Sequence, residues 1–224
     1  IHSHTRHLVM KLSPMADITM AVSRLEKAGA KVREVHVIAI KGECKELLIW
    51  TDREFDGNAS IHIHEDGSSF CEPIDAESCS TPVFADDMNA LADKLQNGLI
   101  LFEGSKAITK AGLFNLICSR FRICKAAVST HLYFADRSSV DTLPQFGKTF
   151  KIIEMSEMSG KTLKDIARRY PMAEVSSRNL PISSDALRKK LGVKASADIH
   201  IFVFKVQFNR DKARDVVTVC QRVV

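Results

Sequence analysis

No run of apolar residues in this 224-residue chain approaches the ~20 that a membrane helix needs; the longest, such as Leu47–Trp50 and Ile199–Phe204, are strand-sized. A membrane span is therefore not expected. Aromatic residues are few, 7 % with a single Trp and two Tyr, so a surface that stacks single-stranded bases on exposed rings is not implied. None of the six cysteines (Cys44, Cys71, Cys79, Cys118, Cys124 and Cys220) forms a C-x-x-C pair. Disulfide and metal frameworks need tighter, repeated spacing, so free thiols in a reducing, cytoplasmic setting are expected. G-x-G-x-x-G, the phosphate-binding P-loop, G-x-S-x-G and H-E-x-x-H are all missing. The chain therefore carries no complete catalytic site of a familiar kind. It has no initiator Met and runs from Ile1 almost directly into an apolar segment, which reads as part of a longer protein.

What is present is ordinary globular composition, 45 % hydrophobic and 26 % charged, with an uneven distribution of charge. Residues 1–147 hold 16 Lys+Arg against 19 Asp+Glu, a net of −3. Residues 148–224 hold 16 against 8, a net of +8. The stretch 51–103 has 12 acidic residues against Arg53 and Lys94 alone. Such asymmetry points to different partners for different parts.

Periodicity predicts a strand at Leu8–Leu12, then a helix capped by Asp17 with Ile18, Val22 and Leu25 on one face and Gly29 at its end. Strands follow at Val35–Ile40 and Leu47–Trp50, an order that suggests a layered α/β unit. Ser60–Glu65 alternates as a half-buried strand. Asp86–Gln96 and Lys106–Arg122 read as helices, and Ser138–Gly147, with Ser, Asp, Pro and Gly, reads as a linker. Beyond it we expect a strand at Phe150–Met155, a helix at Lys161–Tyr170 and a strand at Ala173–Arg178. A helix at Asp185–Leu191, capped by Ser183 or Ser184, then leads to hairpin-paired strands at Ile199–Val206 and Val216–Val223.

Three sets of residues could carry chemistry. His62 and His64, two apart on one strand face, could bind a metal, but a third ligand at suitable spacing is missing, so solvated strand histidines and no metal are expected. Lys11, Ser13, Pro14 and Asp17 follow the first strand, where open α/β sheets place ligands; the alternative is that Pro14 and Asp17 merely start a helix. Arg168, Arg169, Arg178, Asn179, Arg188, Lys189 and Lys190 gather around the two C-terminal helices. Some of these cations complement helix dipoles, but the excess suits a phosphate backbone.

Four segments in order carry a resemblance. Leu8-Val9-Met10-Lys11-Leu12-Ser13-Pro14-Met15-Ala16-Asp17-Ile18 resembles the LLKxSPMLDI segment of a bacterial family of class I S-adenosylmethionine-dependent methyltransferases with a C-terminal THUMP-like domain. Glu34-Val35-His36-Val37 with Gly42-Glu43-Cys44-Lys45-Glu46-Leu47-Leu48 resembles its next two strands. Phe102-Glu103 with Ile108-Thr109-Lys110-Ala111-Gly112-Leu113-Phe114 resembles its small ferredoxin-like region. Arg178-Asn179-Leu180-Pro181-Ile182-Ser183 with Leu187-Arg188-Lys189-Lys190-Leu191 is similar to the RNFPLS and LRKKL blocks of its THUMP-like domain.

The resemblance implies a mixed α/β and α+β architecture in three parts. Residues 1–58 would be the last strands of a Rossmann-like methyltransferase sheet, 59–147 an acidic segment with the ferredoxin-like region, and 148–224 a basic THUMP-like domain. The parent activity it implies is methylation of RNA, transfer or ribosomal, with S-adenosylmethionine as cofactor. That cofactor's glycine-rich loop and acidic partner are not among these residues, so none is expected to bind here. A homodimer through an exposed sheet edge is a physically reasonable consequence. The alternative function is a non-catalytic module that binds nucleic acid or protein.

Overall fold

The computed structural model describes residues 5–139, 141–196 and 198–223. They form two compact units, one of residues up to 81 with 105–116, the other of residues 82–104 with 117 onward.

The first unit is built on a five-stranded sheet. Its strands are β1 (His7–Leu12), β2 (Val32–Ile40), β3 (Glu43–Asp52), β4 (Ser60–Glu65) and β5 (Ser68–Pro73), in the order β1-β3-β2-β4-β5. β3 lies antiparallel between β1 and β2, which therefore run parallel to each other; β4 is parallel to β2 and β5 antiparallel to β4. Helix α1 (Ile18–Lys27) makes the crossover from β1 to β2. Alternation decides what each strand buries. Val35, Val37 and Ala39 of β2 and Ile61 and Ile63 of β4 form the core face, while Glu34, His36, His62 and His64 take the opposite face, half-buried. Helix α3 (Lys106–Ala111) covers the core face with Ala107 and Ile108. β1 is an edge strand, paired only with β3 among the described residues, and its Val9 is 59 % exposed.

The second unit has a seven-stranded sheet. Its strands are β6 (Ile100–Gly104), β7 (Cys124–Ala127), β8 (Thr130–Ala135), β9 (Gly147–Glu157), β10 (Glu174–Arg178), β11 (Ile199–Val206) and β12 (Arg214–Arg222). Their order is β10-β11-β12-β9-β6-β8-β7. β11 is buried on both faces, which explains its nearly unbroken apolar sequence. Phe202, Phe204 and Val206 join Leu101, Phe134, Phe150 and Ile152 in one core, which also takes Leu91 of helix α2 (Met88–Gln96). Ile201 and Val203 join Val217 and Val219 in a second core on the other face. Helix α5 (Gly160–Arg169) closes that core with Leu163 and Ile166, and helix α6 (Ser184–Leu191) with Leu187.

Several expectations are corrected. The single helix at 106–122 is two short ones, α3 and α4 (Leu116–Phe121), because Gly112 turns left-handed at φ 72° and ends the first. The expected linker at 138–147 is ordered structure: Leu143 and Phe146, in a short 3-10 turn, are buried; residue 140 lies outside the described residues. The compact units are larger than the expected parts 1–58, 59–147 and 148–224. Residues 59–81 continue the first sheet, and β9 begins at Gly147 and pairs with β6, so residues on either side of 147 share one sheet. Strands β5, β6, β7 and β8 are short and lack strict alternation, so periodicity alone does not mark them.

Candidate nucleic-acid interface

The basic residues chosen from the sequence meet different fates. α5 is capped at its start by Ser159, whose Oγ accepts from the Thr162 amide at 3.0 Å. In its last turn, Arg168 donates to Asp165 Oδ1 at 2.9 Å, and Arg169 donates to Asp165 Oδ2 and Glu154 Oε2, each at 2.9 Å. The hydrogen bond from Arg169, then that from Arg168, holds the Asp165 carboxyl below the usual carboxylate range. Arg178, at the end of β10, donates to Glu103 Oε1 at 2.8 Å. Asn179 adopts a left-handed backbone, φ 56°, and its amide donates to Thr130 Oγ1 at 3.4 Å. Arg188 lies 3.5 Å from Asp185 one turn back. Lys189 and Lys190 are exposed and form no salt bridge among the described residues.

Four of the seven residues are thus arginines with carboxylate partners, and one is an asparagine hydrogen-bonded to Thr130 of β8. Sequence reasoning passed over two better-placed cations. Lys161 and Lys164 lie on the exposed side of α5 with Arg168, at the spacing i, i+3, i+7 that defines one helix face. That periodicity is legible in the sequence, beside the adjacent pair Arg168–Arg169. Since α5 and α6 cover the same face of the sheet, their outer sides both carry lysines that form no salt bridge among the described residues: Lys161 and Lys164 from one, Lys189 and Lys190 from the other. Elsewhere on this unit a groove of about 570 Å³ is lined by Gln96, Asn97, Arg137, Lys151 and Gln221, adding two cations that the sequence did not single out.

In the first unit, the four residues after β1 do not converge. Lys11 pairs with Glu46 at 2.8 Å. Ser13 Oγ accepts from the Met15 amide at 3.2 Å, and Asp17 Oδ1 accepts from the Met20 amide at 2.7 Å, capping α1. Pro14 is half-buried within this turn. The geometry is that of a helix start. A nucleotide cofactor would need a glycine turn whose backbone closes on a phosphate or sugar. Gly29, Gly42 and Gly67 sit instead at the end of α1 and in the β2–β3 and β4–β5 turns, with open space where a Cβ would be. These three turns do not fit S-adenosylmethionine. His62 and His64, expected to lack a third partner, meet His36 from the neighbouring strand, a contact between residues 26 and 28 positions apart that spacing could not reveal.

Comparison with known proteins adds the following. Residues 147–222 match the family model described as THUMP domain-like. Residues 101–141 match a ferredoxin-like domain model. No curated protein matches the chain. A crystal structure described as that of a "putative methyltransferase from Porphyromonas gingivalis W83" superposes with a TM-score of 0.79 at 24 % identity, covering 97 % of this chain. The chain spans about half, 51 %, of that protein. The lysine face of α5 and α6 therefore lies wholly within the region matched as THUMP domain-like, and β7, β8 and all of β6 but Ile100 fall within the ferredoxin-like match.

Proposed function

We propose that this chain is part of an S-adenosylmethionine-dependent methyltransferase acting on RNA, with its THUMP-like region as the RNA-docking module. The observation that carries the reading is the exposed lysine face of α5 and α6, Lys161, Lys164, Lys189 and Lys190, on a region matched by the THUMP-like model. THUMP-like domains generally bind RNA, and charge presented without carboxylate partners is available to phosphates. The methyltransferase half rests on the fold shared with the Porphyromonas protein and on the layout of the first unit. There, β1, α1 and β2 form a strand–helix–strand crossover, and the free edge of β1 can continue into a larger, Rossmann-like sheet or pair with a second copy.

Salt dependence of binding to an RNA hairpin tests the docking role. Filter binding across a salt series should give a log–log slope near −0.9 per phosphate contact. Replacing Lys161, Lys164, Lys189 and Lys190 by Gln should flatten it by about one unit per lost contact, with little change in preference among sequences. A second reading, in which the basic residues serve acidic parts of the same protein, is favoured by Arg178–Glu103 and by Arg210–Asp86 at 3.4 Å. It predicts no binding even at low salt. Transfer of labelled methyl groups from S-adenosylmethionine to RNA by the full-length protein tests the catalytic half; full-length protein that binds RNA without transfer would leave only a binding module.

A further inference from the structure

The half-buried face of the first sheet holds three imidazoles side by side. His36 on β2 and His62 on β4 are direct register partners, with ring centroids 4.6 Å apart. His64, two residues along β4, lies 5.4 Å from His36 by the same measure. One ring nitrogen from each residue falls within 4.8 Å of the others. His36 Nδ1 and His64 Nε2 are 3.1 Å apart. Two nitrogens bound to a tetrahedral zinc at about 2.0–2.1 Å would be about 3.3 Å apart, so this pair already stands at ligand spacing. We propose that His36, His62 and His64 form a zinc site, three imidazoles and one open position, that clamps β2 to β4.

Three features fit. The donors are all imidazole nitrogen, which suits zinc and disfavours magnesium or calcium. The nitrogen of His36 that faces away from His64, Nε2, lies 3.1 Å from Glu34 Oε2, the carboxylate partner that typically orients a metal-bound histidine. Glu34 is itself held through Oε1 by Arg33 Nε at 3.2 Å. Finally, the side chains of His36 and His62 are 22 % and 24 % exposed, so an ion and a water as fourth ligand can reach the site. The rings now lie nearly parallel, within 8–23° of one another. Closing them on an ion takes rotation about χ2, a broad torsion in histidine. The site is built by tertiary pairing alone: parallel register brings position 36 beside 62, and the period of two puts 64 on the same face.

The test uses the full chain, free of any affinity tag and stripped with a chelator. Elemental analysis after dialysis against zinc should give one tightly held ion, and zinc should raise the melting temperature. His36→Gln and His64→Gln should each abolish the tight site while far-UV circular dichroism stays unchanged. Glu34→Gln should weaken it about 10–100-fold, as expected for loss of an orienting partner. Two controls, His131→Gln and a variant with His2, His4 and His7 replaced by Ala, should bind as the parent does. Cobalt substitution should give visible bands of tetrahedral coordination without thiolate charge transfer. If a sheet variant unfolds, the Glu34→Gln affinity and the cobalt spectrum of the parent decide. The proposal is overturned by zinc binding that survives His36→Gln and His64→Gln, by thiolate bands in the cobalt spectrum, or by no binding at micromolar zinc.

Discussion

His200 shows how strongly one position can depend on its surroundings. Its ring stacks on Phe202 with centroids 3.8 Å apart, Phe150 meets it edge-on, and its Nε2 lies 2.8 Å from Ser176 Oγ. Burial, the largest influence, pushes its pKa down to about 4; Glu103 opposes this while Arg178 and Lys148 add to it. The unfolded chain takes up this proton near pH 6.5, the fold only near 4. The stabilisation is therefore complete above pH ~6.5 and is lost as pH falls from there toward 4, where both states are protonated. Discounted for partial exposure, this amounts to about 1–2 kcal/mol. Thermal melts of parent and His200→Gln between pH 7.5 and 4.5 should show a steeper acid loss in the parent; parallel curves would mean that His200 is not held neutral.

At the scale of elements, two joints can be tested. Asp17 caps α1, so Asp17→Ala should cost about 0.5–2 kcal/mol in chemical unfolding and leave RNA affinity unchanged. Loss of RNA binding without loss of stability would return the turn after β1 to the list of functional residues. Gly147 opens β9 where it pairs with Gly104 of β6. Its φ of 164° is ordinary extended backbone, but a Cβ there would run into the Glu103 carbonyl oxygen and the Phe102 ring. Gly147→Ala should therefore destabilise by about 3 kcal/mol, at the upper end for overpacking, because the obstacle is partly backbone. A melting temperature within a degree of the parent's would show that β6 and β9 can separate without penalty.

For the molecule as a whole, the continuity of the second sheet predicts how it can be cut. Cleaving at 148 removes β6, β7, β8 and α2 from a core that they share with Phe150, Phe202, Phe204 and Val216. Residues 148–224 alone should keep strand and helix signals in far-UV circular dichroism. They should also bind a hydrophobic dye and aggregate, because one face of β9, β11 and β12 is left bare. A monomeric, dye-negative fragment with a cooperative melt would show that the core around Leu163, Ile166 and Val203 suffices.

Local order was legible because it is set by neighbours along the chain. Ser60–Glu65 and Ile199–Val206 fall where alternation or an apolar run placed strands, and Asp17, Ser183 and Gly29 mark helix ends through their own hydrogen-bonding and backbone preferences. The basic character of the last third was visible as composition. What only the tertiary structure decided is which charges are spent and which side chains meet. Glu103 reaches Arg178 across 75 positions, so that arginine is paired, while Lys161 and Lys164 form no ion pair among the described residues. Pairing of β6 with β9 joins what composition divided at 147, and the parallel register of β2 and β4 sets His36 beside His62 and His64. Periodicity constrains the face on which a residue lies, but it cannot name the strand that will lie alongside, because that choice depends on packing between segments distant in sequence.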